Sequence, residues 1–204
     1  NAGKPEWVET APFVWVDRNS GDRLAAEVQD GHVVRMSTDA LSPFTVYRPA
    51  PVGTNAAWLL PALGGAVLLI ALAALGWPVR ALVRRHFGAT FPLKGSALTA
   101  WRLSRLAAWG VIVAVGGWLG FVAAFTADIG SVGGPLDWLI QSLRVLTPLA
   151  SFGLVLAAGW HLLLCLRQQR RWTMRLGAVL LLASGLLCVW VTMAFNLYGF
   201  GLVY

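Results

Sequence analysis

Four long apolar runs without Asp, Glu, Lys or Arg govern what this chain can become: Ala56–Trp77, Leu106–Ala127, Val145–Leu166 and Leu176–Leu197. Each is 22 residues long, which as a helix spans about 33 Å at ~1.5 Å per residue. That is enough to cross a hydrocarbon core about 30 Å thick. A buried helix of a soluble protein can be equally apolar, but four in succession at this length point to a bilayer. In lipid each run must satisfy its own backbone hydrogen bonds, so each is predicted to be helical. The third helix is expected to begin at Trp138, ahead of its apolar run, giving helices over about 56–77, 106–127, 138–166 and 176–197.

Charge divides the chain at the same boundary. Seven of the nine acids (Glu6, Glu9, Asp17, Asp22, Glu27, Asp30 and Asp39) precede Ala56, with Lys4, Arg18, Arg23, Arg35 and Arg48, so that portion nets −2. The remainder carries eleven basic residues against Asp128 and Asp137 and nets +9. Only 12% of the whole chain is charged, about half the share of an ordinary soluble domain. A pI near 10.4 raises nucleic-acid binding as a reading, but the basic residues flank apolar runs, where they orient helices in a membrane. No nucleic-acid partner is expected; the bilayer is.

The connecting segments set the expected orientation. Arg80, Arg84, Arg85, Lys94, Arg102 and Arg105 lie between the first two runs. Arg167, Arg170, Arg171 and Arg175 lie between the last two, and neither connection holds an acid. The connection Asp128–Asp137 holds no Lys or Arg. The positive-inside rule therefore predicts a cytoplasmic (inner) membrane protein with both basic connections in the cytosol. The N-terminal portion, the Asp128–Asp137 loop and the C-terminus then face outward. Trp58, Trp77, Trp101, Trp138, Trp172, Tyr198 and Tyr204 fall near run ends, where amphipathic rings favour the interface. Trp109, Trp118, Trp160 and Trp190 sit deeper, as packing or lipid-facing rings.

Residues 1–50 read as a small antiparallel β module outside the membrane. Phe13–Val16, Arg23–Gln29, His32–Ser37 and Phe44–Tyr47 are strand candidates, and Asp30-Gly31 is a strong two-residue hairpin signal. So few strands cannot enclose a two-sided core, so the module is expected to end a larger β-rich region or lie against the membrane domain. Residues 51–55 are a Pro/Gly linker, and 56–204 the transmembrane domain. The fold class is thus mainly α, a four-helix transmembrane bundle preceded by a β module.

Chemistry-bearing residues are sparse. Asp137, Gln141 and Arg144 share one helix face, with Arg144 reaching out of the membrane to pair with Asp137 or Asp128. His161 has no carboxylate or second histidine in any run to relay a proton to, and His32 and His86 fall on opposite sides of the bilayer. Cys165 and Cys188 lie at different depths, too far apart for a disulfide, and read as small buried hydrophobes. Gly116 and Gly120 form a small-xxx-small pair that allows close helix approach, and Pro61 and Pro148 mark a first turn or a mild kink. No catalytic, cofactor-binding or metal-ligating residue is assigned, and no cofactor is expected.

The stretches Ala11–Trp15, Asp22–Ala26, Asp30–Arg35 and Leu41–Tyr47, with Trp77–Arg80, Arg84-Arg85 and Asn196–Phe200, resemble the C-terminal membrane region of bacterial class C β-lactamase-like or penicillin-binding-protein-like serine hydrolases. The resemblance covers nearly the whole chain and implies a small β module that follows a catalytic domain and leads into helices. The catalytic motifs themselves are not in this chain. No serine stands three residues before Lys4 or Lys94, and Tyr47, Tyr198 and Tyr204 begin no Tyr-x-Asn. His86-Phe87-Gly88 matches His-x-Gly but falls in a connection expected in the cytosol. The resemblance therefore implies a chain that is one part of a longer protein, with the catalytic domain before Asn1 as its partner. The alternative expectation is a self-contained four-helix accessory, sensor or small transport protein with an outer β cap.

Overall fold

A computed structural model describes residues 4–40, 46–88, 93–127 and 136–198. The chain divides into two compact units, Asn1–Asn55 and Ala56–Tyr204.

The first unit is a five-stranded antiparallel meander in sequence order, β1 (Trp7–Ala11), β2 (Val14–Asp17), β3 (Arg23–Gln29), β4 (His32–Thr38) and β5 (Val46–Tyr47). The β3–β4 hairpin turns at Asp30 and Gly31, with φ of 51° and 76°, the left-handed pair that matches a two-residue turn to strand twist. Strand β1 is an addition to the sequence reading. Its Trp7-Val8-Glu9-Thr10 alternation is short and ends at Pro12, and pairing of Val8 with Val16 and Glu9 with Trp15 makes it a strand. Of the fourth strand candidate, Phe44 and Thr45 lie outside the described residues, and Val46–Tyr47 pairs with Met36 and Ser37.

One carboxylate organises this unit. Among the described residues Asp17 is its one buried residue. Asp17 Oδ1 accepts the backbone N–H groups of Glu6 at 2.8 Å and Asn19 at 3.2 Å, and Oδ2 lies 2.9 Å from the Ser20 hydroxyl. The β2–β3 turn is thereby tied to the start of β1. These donors hold the Asp17 carboxyl below its ordinary range, Asn19 contributing most. Glu27 is held below its range by Arg35 beside it on the neighbouring strand. Apolar side chains are distributed over both faces of the sheet, and Trp7, Phe13, Val33 and Val46 are exposed.

A single 3₁₀ turn, Val52–Thr54, lies in the Pro/Gly segment. The second unit is four helices: α1 (Ala56–Phe87), α2 (Gly95–Ala127), α3 (Asp137–Arg167) and α4 (Trp172–Ala194). All four are long and apolar enough to cross a membrane. The chain is therefore a multi-pass membrane protein by the length and composition of its helices. In contact order α1 neighbours α2 and α4, and α3 neighbours α2 and α4.

The helices do not stop where the apolar runs stop. α1 continues ten residues past Trp77 through Pro78, and α2 begins at Gly95, well before Leu106. An apolar run marks the hydrocarbon crossing, whereas backbone hydrogen bonding continues through the charged turns beyond it. α1 is closed by Gly88, at φ 62°, in the left-handed position that ends many helices. His86-Phe87-Gly88 is thus a helix terminus. α4 starts at Trp172 and ends at Ala194, short of Leu197. Asn196 turns left-handed at φ 50° and Leu197 N–H returns to Thr192 O at 2.9 Å, closing the final carbonyls.

The bundle core is Ile70 and Ala74 of α1, Ala108 and Val111 of α2, Ala150, Leu154 and Ala158 of α3, and Leu181 and Cys188 of α4. Outside it, Leu72, Leu119, Leu156 and Leu186, one from each helix, are more than half exposed. An apolar perimeter on all four helices suits lipid rather than water.

Candidate functional site

Close helix approach is built from small residues, though not the expected pair. A Cβ placed on Gly116 or Gly120 would meet nothing within 4 Å. The tight approaches are elsewhere. A Cβ on Gly110 would stand 3.1 Å from Ala150 Cβ, and one on Gly185 3.2 Å from Val155 Cγ2. Spacing alone identifies small residues; helix rotation decides which of them face a neighbour. Gly116 and Gly120 face away from the contacts made by their own bundle.

In the half of the bundle holding the α2 C-terminus and the α3 N-terminus, a cavity of about 240 Å³ is lined by Leu63, Val111, Trp118, Leu119, Val122 and Thr192, among others. Its polar atoms are already bonded. Trp118 Nε1–H donates to Thr147 Oγ1 at 2.9 Å, joining α2 to α3. Ser151 and Thr192 hydroxyls lie 3.4 Å apart between α3 and α4. Each also donates to a carbonyl four residues earlier in its own helix, Thr147 O at 2.7 Å and Cys188 O at 2.8 Å. A sealed void of 240 Å³ would cost about 6 kcal/mol at ~24 cal/mol per Å³. Leu119 and Val122 on its rim are more than half exposed, so the space is an open groove that hydrocarbon can fill. Trp118 is therefore a packing residue with a fixed polar handle. Trp109 packs on the core, while Trp160 and Trp190 are exposed on the perimeter.

The opposite end of the bundle is basic. Leu93, Ala97 and Trp101 form a second apolar cluster, against which Trp77, Leu164 and Met174 pack. This corrects the interfacial reading of Trp101: at 6% exposure it is core, meeting Trp77 edge to face at 6.3 Å. Trp58, Trp138, Trp172 and Tyr198 do lie exposed near helix ends. Arg105 spreads over the Trp101 ring, its Cζ 5.3 Å from the centroid, and reaches Ser104 Oγ at 3.4 Å. His161 is 5% exposed. Its Nε2 is 3.7 Å from Cys165 Sγ, and its Nδ1 is buried with no hydrogen-bond partner. The Nε of Arg175 is also buried without a partner.

The remaining sequence candidates do not converge. Asp137, Gln141 and Arg144 are all half-buried on α3, and neither Asp137 nor Arg144 lacks an interaction partner. Asp128 and the loop to Pro135, like Gly199, Phe200 and Tyr204, lie outside the described residues. Cys165 and Cys188 are free and buried. His161 and Cys165 pair within α3, and among the described residues no three His, Cys, Asp or Glu side chains gather into a metal-sized group. The Trp118–Thr147 and Ser151–Thr192 contacts were outside the reach of sequence reasoning, since each joins two helices whose rotation spacing does not fix.

No family model, curated protein or solved structure matches the chain.

Proposed function

We propose that the chain is the membrane-anchoring C-terminal module of an extracytoplasmic serine hydrolase of the β-lactamase or penicillin-binding type. The four helices cross the cytoplasmic membrane with their basic ends in the cytosol, and the sheet stands outside. The reading rests chiefly on the sheet. Five strands expose Trp7, Phe13, Val33 and Val46 and, among the described residues, bury only the Asp17 carboxylate, so they are suited to complete a larger β-rich body. The helical unit supplies retention in the bilayer, and the neutral, hydroxyl-bonded interior offers no acid or base at mid-depth among the described residues. The hydrolase assignment itself rests on the resemblance of the β module and helix junctions described above. An anchored enzyme of this class would meet its acyl substrate at the outer leaflet at raised effective concentration.

Labelling producing cells with a fluorescent penicillin and a fluorophosphonate, then capturing with an antibody against residues 14–38, tests the assignment. A labelled polypeptide well above 21.9 kDa is expected. A captured polypeptide of this size without label favours the self-contained alternative; a larger unlabelled one refutes the hydrolase alone. Orientation is read separately. Ser20→Cys should react with an impermeant maleimide on intact cells and Ser96→Cys only after lysis, and the reverse pattern would overturn the topology.

A further inference from the structure

Two hydroxyls in the wall of the apolar groove have already committed their protons. Ser151 of α3 and Thr192 of α4 both line it. A hydroxyl carries one proton and two lone pairs. Ser151 Oγ stands 2.7 Å from Thr147 O and 3.3 Å from Pro148 O, and Thr192 Oγ1 stands 2.8 Å from Cys188 O. A carbonyl only accepts, so these contacts take the single proton of each hydroxyl. The two hydroxyl oxygens then face each other across the α3–α4 contact at 3.4 Å, with no proton between them. That separation is longer than the ~2.7–2.8 Å usual for O–H···O. Thr147 differs, because its hydroxyl donates to Leu143 O at 2.6 Å and accepts from Trp118 Nε1–H, so it both gives and receives.

The surroundings select the donor that can complete this pair. Ser151 is six residues past Val145, where its apolar run starts, and Thr192 is five residues before Leu197, where its own run ends. At ~1.5 Å per residue both oxygens lie about 8–9 Å inside the hydrocarbon, measured from the same end of the bundle. A charged head is costly at that depth. An ester, ketone or ether brings only lone pairs and would set a third acceptor against the first two. Ser151 and Thr192 are 2% and 1% exposed, so the head that meets them is no bulkier than a hydroxyl. Water has a suitable head but no body. One water takes up about 30 Å³ of liquid, whereas the groove is about 240 Å³ and much of its remaining wall is Leu63, Val111, Leu119, Val122 and Leu197. The exposed Leu119 and Val122 leave one side open to lipid, and a hydrocarbon body can enter there.

We propose that this groove binds a lipid-soluble alcohol, a hydrocarbon chain that carries one hydroxyl. The hydroxyl donates its proton to the Ser151–Thr192 oxygen pair, and the chain lies along the groove against Leu63 and Leu119. Trp118 keeps its bond to Thr147 and serves as an apolar wall. The proton count involves only residues of the helical unit, so the proposal stands apart from the hydrolase assignment, and either can fail without the other.

The test places the full chain in phosphatidylcholine nanodiscs and photolabels it with a dodecanol that carries a diazirine in mid-chain, with adducts mapped by peptide mass spectrometry. Adducts should concentrate on Trp118, Leu119 and Val122 of the groove rather than on Leu72 and Leu186, which are more than half exposed on the perimeter. Unlabelled dodecanol should compete about three- to tenfold better than dodecyl methyl ether, the equivalent of one or two intramembrane hydrogen bonds. Ser151→Ala combined with Thr192→Val removes both acceptors, keeps the wall apolar, and should bring alcohol and ether to parity. Ser184→Ala removes a hydroxyl that likewise donates within its own helix, to Leu180 O at 2.8 Å, but does not line the groove, and should leave the preference intact. Should the double variant fail to fold, Thr192→Val alone should at least halve the preference, and the alcohol–ether comparison on the parent chain decides without any substitution. Equal competition by alcohol and ether on the parent chain, adducts spread evenly around the perimeter, or a preference that survives loss of both hydroxyls would each overturn the proposal.

Discussion

Truncating Leu154 to alanine separates a membrane bundle from a water-soluble one by magnitude alone. Leu154 is 0% exposed, packed among residues from all four helices. In soluble cores Leu→Ala costs about 2.7–5.0 kcal/mol. Three carbons are removed, and at ~0.8 kcal/mol each the water-to-apolar transfer part is about 2.4 kcal/mol. In a bilayer that part vanishes, because lipid is as apolar as the core and a separated helix keeps its leucine in hydrocarbon. Lost packing remains, about 0.3–2.6 kcal/mol by difference. Full burial of Leu154 between facing helices puts it in the upper half of that interval. Leu156, two residues on, is 74% exposed, and Leu156→Ala should change stability by less than ~0.5 kcal/mol. Steric trapping in bicelles, with biotin pairs on α2 and α3, measures both against the parent chain. Equal effects of the two substitutions would remove Leu154 from the core. A loss of 4 kcal/mol or more would mean that the transfer term is present and the reference state is aqueous, which would sink the membrane reading.

Three further outcomes follow from contacts already described. Gly110→Leu should destabilise the bundle by about 1–3 kcal/mol through overpacking against Ala150, while Gly116→Leu, facing open space, should be close to neutral; the same trapping assay compares them. Trp118→Phe should cost about 0.6 kcal/mol, the usual worth of an intramembrane side-chain hydrogen bond, and a Thr147→Val background should abolish the difference. The Asp17 carboxyl, its value depressed in the fold, stabilises the sheet at pH above the ordinary value of 3.8, and that stabilisation is lost as pH falls through the depressed value. Carboxyl NMR of the micelle-bound chain should place its midpoint below 3.8, and Asp17→Asn should speed amide exchange at Glu6 and Asn19. A midpoint at or above the ordinary value would contradict the hydrogen bonds drawn to Oδ1.

The four crossings and the β module before them were legible in the residues alone. A run of 22 uncharged apolar residues has one stable conformation in hydrocarbon, so hydropathy suffices to predict a helix there. Asp30-Gly31 fixed its hairpin for a similarly local reason, because few other residue pairs accept two successive left-handed conformations. Strand β1 was not legible, since its short alternation acquires meaning only when Val8 and Glu9 meet Val16 and Trp15. Helix ends were misjudged for a different reason. Hydropathy reports where solvent changes, and α2 begins eleven residues before its apolar run because hydrogen bonding carries through Arg102 and Arg105.

Composition and order, then, determined that this chain has four helices able to cross a membrane and a small β module before them, because transfer into lipid depends on each segment's own side chains. Rotation of each helix about its axis was decided only by tertiary packing. That rotation set Gly110 against Ala150 and left Gly116 facing outward, turned Trp101 from an interfacial ring into core, and laid the Arg105 guanidinium over the Trp101 ring. Nearly uniform apolarity around each helix makes the faces alike to the bilayer, so shape complementarity between neighbours had to choose among them.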